Sequence, residues 1–360
     1  MSKALYVHIP FCQSICSYCD FCRFGYDQDL ADRYLKALNK ELIEKVENKD
    51  LKTIYIGGGT PTALNLDQLR FLLTCLKNYA LNVEEYTIEI NPETMTSAKF
   101  KLLAEFGINR VSIGVQTLNE RLLKYLNRKH DIDSVFKCID YFNQIGISNI
   151  SVDLIYGLPN QTIKDWQETV NGIVKANIKH VSLYNLTIEK NALFGRKNIK
   201  KLDEEICDKM YFWAIKTLES EGFHQYEISN FAKIGYLSQH NLTYWKYQDF
   251  YGIGVSAAGK ERNYRYTNTS NINDYLHGVL SIEEIELKPK DYLFEKMMMG
   301  LRIKDGILLN DDEFNSIIEM YRQSVDDLLK KGLIEFDNNK LKATDKGYYI
   351  INDILVDLLP

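Results

Sequence analysis

The segment HIPFCQSICSYCDFC, residues 8–22, places four cysteines within one short stretch of the chain. Cys12, Cys16 and Cys19 are separated by three and then by two residues, and they follow a predicted strand at residues 5–9. Three thiolates on one tight loop can each hold one iron of a cubane [4Fe–4S] cluster, and the fourth iron then has no protein ligand. The spacing therefore predicts a cluster whose open iron can bind a substrate.

The alternative for this segment is a structural zinc site, in which Cys22 would supply a fourth thiolate. Zinc prefers four closed ligands, generally in two pairs that are distant in sequence. Four cysteines within residues 12–22 would crowd such a site, so the cluster is favoured. The remaining cysteines, Cys75, Cys138 and Cys207, lie in predicted helices and are expected to be small buried hydrophobes.

Beyond this segment, apolar β-rich runs alternate with amphipathic helical patterns as far as residue 228. The predicted strands are residues 5–9, 53–56, 86–90, 110–115, 150–155, 180–185 and, more weakly, 224–228. The predicted helices are residues 30–46, 66–79, 97–105, 134–145, 163–176 and 203–221. Parallel strands joined by crossover helices form a barrel or a doubly wound sheet, and both place active sites at the carboxyl ends of the strands. The sequence therefore predicts an α/β fold with a site at that edge.

Polar and glycine residues occur where the predicted strands end, as this expectation requires. They are Gly57, Gly58, Gly59 and Thr60 after the second strand, Glu89 and Asn91 at the third, Gln116 after the fourth, Asp153 in the fifth, and Tyr184 and Asn185 at the sixth. A glycine run exposes backbone amides to a ligand, although an ordinary tight turn is the alternative interpretation. The shared position at strand ends favours a binding site.

The composition is typical of a globular protein, with 45% hydrophobic and 26% charged residues among 360. No apolar run reaches the ~20 residues that cross a bilayer, and residues 1–10 lack the pattern of a secretion signal. A net charge of −5 argues against a nucleic-acid-binding protein that works by bulk electrostatics. We therefore expect a soluble, cytoplasmic protein without a transmembrane segment and without a nucleic-acid partner.

The pattern changes after residue 228, and three regions are predicted. Residues 1–228 form a βα barrel, residues 229–289 are rich in aromatic residues and glycine, and residues 290–360 form a smaller helical domain. Within that domain, residues 313–331 predict helices. Residues 332–343 predict a short hairpin around Asp337, Asn338 and Asn339, which makes the domain winged-helix-like. Because the chain is acidic, we expect this wing to pack or to contact a partner.

The C-x3-C-x2-C spacing, with Tyr18 before the third cysteine, resembles the signature of the radical S-adenosylmethionine (radical SAM) enzymes. The resemblance implies a partial TIM-type βα barrel in which the open iron chelates the amino and carboxylate groups of S-adenosylmethionine. One-electron reduction of that cofactor then yields a 5′-deoxyadenosyl radical. The family's glycine motif is matched by GGGTP at residues 57–61. By the same resemblance the residues at cofactor-contacting positions are Tyr6, Gly58, Gly59, Thr60, Glu89, Gln116, Arg128 and Asp153.

The chemistry of three of these side chains agrees with such contacts. Glu89 can accept hydrogen bonds from an ammonium group or a ribose, Arg128 can pair with a carboxylate, and Asp153 can hold ribose hydroxyls. Taken singly, each could instead be a surface or capping residue.

Over nearly the whole chain the resemblance narrows to the oxygen-independent coproporphyrinogen III oxidase-like family, through YVHIPFC, GGGTPT, SIGVQTLN and VDLIYGLPNQT. One branch oxidatively decarboxylates coproporphyrinogen III, and the other consists of haem chaperones. The first predicted strand starts near residue 3, which leaves no room for the long leading segment of the oxidases. Phe21 stands where the oxidases have a fourth cysteine, and this departure leaves the role of Cys22 open. Both features favour the chaperone branch.

The segment QHNLTYW, residues 239–245, matches the HNxxYW motif of the chaperone branch. The resemblance makes His240 a candidate haem ligand, while Tyr244 and Trp245 offer flat apolar surfaces to a porphyrin. A core histidine beside packing aromatics is the alternative. The following segment, YGIGVSAAG at residues 251–259, suits either a close backbone approach to a cofactor or simple packing.

The resemblance therefore predicts a haem chaperone that binds a [4Fe–4S] cluster, S-adenosylmethionine and haem, and that lacks coproporphyrinogen oxidase activity. Its implied partners are haem and haem-accepting proteins such as respiratory enzymes. An oxygen-independent coproporphyrinogen III oxidase is the enzyme alternative, and a haem-binding module with a purely structural cluster is a third. The sequence leaves open the acceptor, the use of radical chemistry and the oligomeric state, including a homodimer.

Overall fold

The computed structural model describes residues 2–337 and 340–358. Its strands are β1 Ala4–Ile9, β2 Phe11–Cys12, β3 Phe24–Gly25, β4 Thr53–Gly58, β5 Glu85–Ile90, β6 Arg110–Gln116, β7 Asn149–Tyr156, β8 His180–Asn185, β9 His224–Gln225, β10 Asn230–Ala232, β11 Tyr251–Ile253, β12 Ala258–Glu261, β13 Tyr264–Asn268, β14 Ser281–Glu286, β15 Ile307–Leu308, β16 Ile334–Asp337 and β17 Lys340–Ala343. Its helices are α1 Gln28–Lys45, α2 Leu66–Leu76, α3 Ser97–Glu105, α4 Glu120–Tyr125, α5 Ile132–Gln144, α6 Ile163–Val174, α7 Leu193–Arg196, α8 Glu204–Ser220, α9 Gln239–Trp245, α10 Ile272–Leu276, α11 Pro289–Gly300, α12 Asp311–Lys330, α13 Asp345–Tyr348 and α14 Ile351–Asp357. Short 3-10 turns at Pro61–Ala63 and Pro92–Thr94 follow β4 and β5.

Within these described residues, the main sheet has nine strands in the order β11-β1-β4-β5-β6-β7-β8-β10-β9. Neighbours from β11 to β8 are parallel, whereas β10 is antiparallel to both β8 and β9. The sheet ends at β11 on one side and at β9 on the other, so it forms a partial barrel. This confirms the predicted α/β fold with parallel strands and crossover helices.

The two faces of this sheet differ in polarity. Leu5, Val7 and Ile9 of β1 are fully buried in the apolar core that the outer helices cover. The opposite, inner face carries buried polar side chains, among them Glu85 and Arg110. Strands of a parallel sheet are normally apolar on both faces, so a polar interior is the departure that marks a site.

Local signals set the outer helices in place. The side chain of Asp27 caps α1, and Asn65 and Thr162 form capping boxes that start α2 and α6. On the core side of α6, the buried Trp166 donates its Nε1 hydrogen to the carbonyl oxygen of Met210 at 2.9 Å. The helices thereby hold the strands whose ends form the site.

The edges of the sheet differ from the prediction. The strand expected at residues 224–228 is only His224–Gln225, and it runs antiparallel to β10. On the other edge, β11 comes from the glycine-rich segment and pairs in parallel with β1. Gly252 is required there because a Cβ would lie 1.8 Å from the carbonyl oxygen of Ala258. This segment therefore packs closely, as one of the two interpretations expected.

The carboxyl-terminal region builds a second apolar core around Leu293, Ile317, Leu341 and Ile354. Its helices surround a small sheet in the order β15-β17-β16. The strands of the predicted hairpin, β16 and β17, pair antiparallel, while Asn338 and Asn339 at its tip lie outside the described residues. The domain bounds 1–228, 229–289 and 290–360 stay a prediction. In the described ranges, no helix is long and apolar enough to span a bilayer.

Candidate functional site

The cysteine loop leaves the barrel after β1 and is fixed at both its base and its middle. β2 pairs in parallel with β3, and the backbone N–H of Tyr26 donates to the carbonyl oxygen of Cys12 at 2.9 Å. Further along the loop, the N–H of Ser17 donates to the carbonyl oxygen of Leu126, just after α4, at 3.0 Å. These backbone bonds hold the loop over the carboxyl ends of the parallel strands.

Beneath the loop lies a cavity of about 520 Å³, which we call the cluster cavity. Cys12, Cys16 and Cys19 line one part of it, and the strand ends line the rest. The strand-end residues in its wall, together with Arg128, are Gly58, Gly59, Thr60, Glu89, Asn91, Gln116, Asp153, Tyr184 and Asn185. The fold thus brings together the three cysteines and every residue predicted to contact S-adenosylmethionine except Tyr6, whereas the haem candidate His240 lies elsewhere.

The thiol of Cys12 is held against the glycine turn. Burial raises its pKa to about 11, and its Sγ lies 3.6 Å from Thr60 Oγ1. A Cβ on Gly59 would lie 3.0 Å from this Sγ, so the turn needs glycine to approach the thiol so closely. Burial also raises the pKa of the Cys19 thiol. Metal binding deprotonates such thiols, because only the thiolate is a ligand.

The arrangement of the cysteines bears on which metal group they suit. Among residues 2–337 and 340–358, no group of three or more His, Cys, Asp or Glu side chains is gathered tightly enough to hold one metal ion. Three thiols around one cavity suit a cluster, in which each thiolate holds a different iron. Cys22 lies apart from them, since its Sγ donates to the carbonyl oxygen of Ser270 at 3.7 Å.

Arg128 is buried behind Cys16 and connects the loop with the strand ends. Its Nη1 donates to Cys16 Sγ at 3.5 Å, and its Nη2 donates to Asn91 Oδ1 at 2.8 Å and to the carbonyl oxygen of Gly114. Within the described residues its buried Nε has no partner. Arg128 therefore supports the site structurally and keeps one donor for an anionic group.

Two half-buried carboxyl groups, Glu89 and Asp153, face the cluster cavity. Glu89 accepts from Tyr55 Oη at 2.8 Å and from the N–H of Gly58 at 3.1 Å, and burial raises its pKa to about 7. Asp153 accepts from Ser112 Oγ at 3.0 Å, and burial raises its pKa as well. A positively charged ligand would favour the ionised form of both carboxyls, so the wall suits a cation.

Tyr55 and Ser112, which hold these carboxyls, were not predicted as site residues. Each lies on the inner face of its strand, two residues before a glycine in the cavity region, Gly57 or Gly114. The period-two alternation of a strand could have identified them once the inner face was known. Gln116 was predicted as a site residue. The pairing of β6 with β7 shifts register between Gly114 and Gln116, and the backbone φ of Gln116 is +68°.

Tyr6 is the predicted contact residue that lies outside the cluster cavity. Its Oη is 3.0 Å from His8 Nδ1, and His8 Nε2 is 2.9 Å from the carbonyl oxygen of Cys22. The imidazole of His8 fits because Gly58, with φ of +118°, has no side chain, and a Cβ there would lie 2.7 Å from the ring. The contact between Tyr6 and a cofactor stays a prediction.

A second, larger cavity of about 740 Å³ adjoins the first. Its wall is formed by residues from α9, from the sheet β12–β13–β14 and from α11, and we call it the aromatic cavity. Tyr6, Tyr244 and Trp245 lie in this wall. Tyr184 borders both cavities, so the two sites are immediate neighbours.

His240 is fully buried in α9 and has a hydrogen-bond partner at each ring nitrogen. Its Nδ1 is 2.8 Å from Thr53 Oγ1, and its Nε2 is 2.7 Å from Tyr244 Oη. The ring stacks on Tyr55 with centroids 5.2 Å apart, and burial lowers its pKa to about 3. Ligation of haem iron by His240 would require one of these hydrogen bonds to break, and it stays a prediction.

The start of α9 is tied to the barrel interior through Glu85. This carboxylate accepts from the N–H of Gln239 at 2.7 Å and from the N–H of His240 at 3.1 Å. The helix therefore closes the amino-terminal end of the barrel, and its motif histidine faces inward. Tyr244 and Trp245 of the same motif reach the aromatic cavity.

Comparison with known proteins gives two family matches along the chain. Residues 6–173 match the Radical SAM superfamily, and residues 287–350 match the HemN C-terminal domain. The haem chaperone HemW of Lactococcus lactis is 36% identical over 99% of this chain and 97% of its own length. The haem chaperone HemW of Bacillus subtilis is 35% identical, with 98% of both chains covered. The mitochondrial radical S-adenosyl methionine domain-containing protein 1 of Danio rerio is 30% identical over 100% of this chain and 87% of its own.

Among solved structures, the coproporphyrinogen III oxidase HemN of Escherichia coli superposes with a TM-score of 0.85. The match covers 99% of this chain and 89% of that enzyme, at 23% sequence identity. At this level of identity the likeness shows a shared fold.

Proposed function

Because this chain belongs to the family of the haem chaperone HemW, within the radical SAM superfamily, we propose that it binds haem and passes it to haem proteins. The observation that carries this proposal is its similarity to HemW chaperones along nearly their whole length. Membership of the radical SAM superfamily also implies a [4Fe–4S] cluster and S-adenosylmethionine. Together these groups supply one-electron chemistry when they are bound.

In this proposal Cys12, Cys16 and Cys19 hold the cluster. The support is that all three line one cavity, that Arg128 donates to Cys16, and that Gly59 leaves room for Cys12. A guanidinium beside a thiolate offsets part of the negative charge that a cluster with three thiolates carries. The turn and the arginine thus prepare the site for an anionic group.

S-adenosylmethionine would occupy the rest of the cluster cavity. Its carboxylate would meet the free Nε donor of Arg128, and its positive charges would meet Glu89 and Asp153. Gln116 stands at the end of β6 in the same wall and can bridge between donors and acceptors. Carboxyls that are shielded from solvent in a cavity wall attract a cation more strongly than carboxyls in water do.

The pKa of Glu89, raised to about 7, predicts a pH dependence for cofactor binding. Below this pH the carboxyl is protonated and cannot attract a cation, and above it the carboxylate is ionised. Between pH 6 and pH 8 the affinity for S-adenosylmethionine should therefore rise roughly tenfold in the wild type. Calorimetry on the reconstituted protein measures this rise in affinity. The variant Glu89→Gln should abolish the rise. The control variant Glu105→Gln, which changes an exposed carboxylate, should retain it. A wild-type affinity that does not change with pH would contradict the assignment of Glu89.

The enzyme alternative is an oxygen-independent coproporphyrinogen III oxidase. The fold shared with HemN is compatible with either activity, because one fold supports several functions. The chaperone is favoured by the HNLTYW motif of α9 and by Phe21, which stands where the oxidases have a cysteine.

A pair of assays on anaerobically reconstituted protein tests this function. We expect the protein to bind haem with a distinct Soret band, to release it to an apo haem protein, and to leave coproporphyrinogen III unreacted. Haem binding is followed by titration, and decarboxylation is followed by the porphyrinogen products. Robust decarboxylation would replace the chaperone by the oxidase, and absent haem binding would reject the chaperone.

We propose that the protein acts in the cytoplasm and that respiratory enzymes are among its haem acceptors. A homodimer is left open as an oligomeric state.

A further inference from the structure

The aromatic cavity has the shape and lining of a site for a flat apolar ligand. Tyr244 and Phe250 meet edge to face in its wall with ring centroids 4.6 Å apart, and Trp245 lies beside them. Strands β13 and β14 contribute Tyr266 and Ile285. A volume of about 740 Å³ lies within the range of small-molecule and cofactor sites.

Three consecutive methionines, residues 297–299, lie in the last turn of α11, and their surroundings differ. Met297 is fully buried in the carboxyl-terminal core. Met298 lines the aromatic cavity but also packs against that core, whereas Met299 contributes to the cavity wall. A thioether sulfur is a soft ligand that binds haem iron in other proteins. Met299 therefore supplies the kind of atom that an iron porphyrin in this cavity would need.

The cavity wall also holds a cation that can receive a carboxylate. Arg265 has a side chain that is 48% exposed, and it pairs with Glu295 at 3.0 Å. Glu295 accepts a second hydrogen bond from Tyr247 Oη at 2.5 Å, so it keeps a partner when Arg265 turns to a ligand. Lys260, the other cation of the wall, is already held by Asp249 at 3.0 Å and is less free to turn.

The acidic groups of the wall limit where a ligand carboxylate can lie. Glu227 is buried and accepts from the N–H of Ser229 at 3.0 Å, and Glu283 lies on β14. A carboxylate would be repelled near these side chains and attracted at Arg265. The charges therefore favour Arg265 as the partner of a ligand carboxylate.

We propose that the aromatic cavity holds the haem, with the Met299 thioether as an axial ligand of the iron and Arg265 paired with a propionate. This inference rests on the proposed haem-chaperone function and names the site at which that function is carried out. His240 lies behind Tyr244, which lines the cavity and bonds the histidine through its hydroxyl. Iron in the cavity therefore meets the methionine without any hydrogen bond of His240 being broken.

The experiment compares haem and metal-free protoporphyrin IX as probes of the full chain. Met299→Leu keeps the side-chain volume but removes the sulfur, so it should shift the Soret band of bound haem and weaken haem binding roughly tenfold or more. Its affinity for protoporphyrin IX should be unchanged, because that ring carries no iron. Met297→Leu is the matched control in the core, and Met298→Leu tests the neighbouring position.

Arg265 is tested with the same two probes. Arg265→Gln should lower the affinity for haem and for protoporphyrin IX by roughly tenfold, because each ligand loses one charge-assisted contact. The position of the Soret band should not change. Arg262→Gln removes an equal charge from an exposed residue nearby and should have no effect.

The outcomes separate this inference from the proposed function. Wild-type protein that binds no haem would reject the function and the site together. If the wild type binds haem and Met299→Leu changes neither the Soret band nor the haem affinity, Met299 is not the ligand. A Soret shift that occurs only in Met298→Leu or only in His240→Ala would overturn the assignment of Met299 in the same way. The site is supported if Met299→Leu weakens the binding of haem but not of protoporphyrin IX, and if Arg265→Gln weakens the binding of both.

Discussion

Single replacement of Cys12, Cys16 or Cys19 by alanine is expected to abolish the [4Fe–4S] cluster, whereas Cys22→Ala should retain it. The first three thiols line one cavity beneath the loop, and each holds a different iron in the proposed site. Removal of one leaves an iron without its protein ligand, and among the described residues the cavity wall holds no further thiol that could replace it. Iron and sulfide content, with the visible absorption of anaerobically reconstituted protein, measures the loss.

Cys22 serves as the internal comparison because its thiol lies apart from the other three and donates a hydrogen bond to the carbonyl oxygen of Ser270. Cys75→Ala, a change at α2, controls for the effect of replacing any cysteine. A cluster that is lost in Cys22→Ala but retained in Cys12→Ala would disprove the assignment of the three ligands.

Asp153→Ala is expected to weaken binding of S-adenosylmethionine by ten- to a hundredfold while the chain stays folded. The change removes a half-buried carboxylate from the cavity wall and leaves Ser112 without its acceptor. Loss of one charge-assisted contact corresponds to about 1.5–3 kcal/mol. Calorimetry with S-adenosylmethionine measures the affinity, and a thermal melt measures the stability.

Arg128→Ala should weaken the binding of S-adenosylmethionine by a similar factor, but it should also lower the melting temperature of the protein. The reason is that Arg128 donates to Asn91, to the carbonyl oxygen of Gly114 and to Cys16. Removing it leaves half-buried acceptors unpaired, which destabilises the fold. Asp153 is therefore the cleaner test of the cofactor contact.

The matched control for both variants is Asp140→Ala, at an exposed carboxylate on α5. If Asp153→Ala and Arg128→Ala both bind S-adenosylmethionine with wild-type affinity, the cofactor does not lie at these strand ends.

Much of the fold could be predicted because its signals are local in sequence. The alternation of apolar runs with amphipathic stretches follows the periods of strand and helix, and β8 matches its predicted range without change. Parallel strands then bring their carboxyl ends to one edge, which is why Glu89, Gln116 and Asp153 could be expected in one cavity. The cysteine spacing is local too, since one loop carries all three thiols.

Only the tertiary structure decided how distant segments meet. The glycine-rich segment pairs with β1 some two hundred and forty residues earlier in the chain, and no local pattern specifies that pairing. The same holds for the partners of His240, because Thr53 and Tyr55 reach it only once α9 closes the barrel. Motif, spacing and periodicity thus determined most of the parallel strands and outer helices, and the cysteines, glycines and carboxyls of the site. Burial, hydrogen-bond pairing and the separation into two cavities depend on contacts between segments far apart in sequence, which exist only in the folded chain.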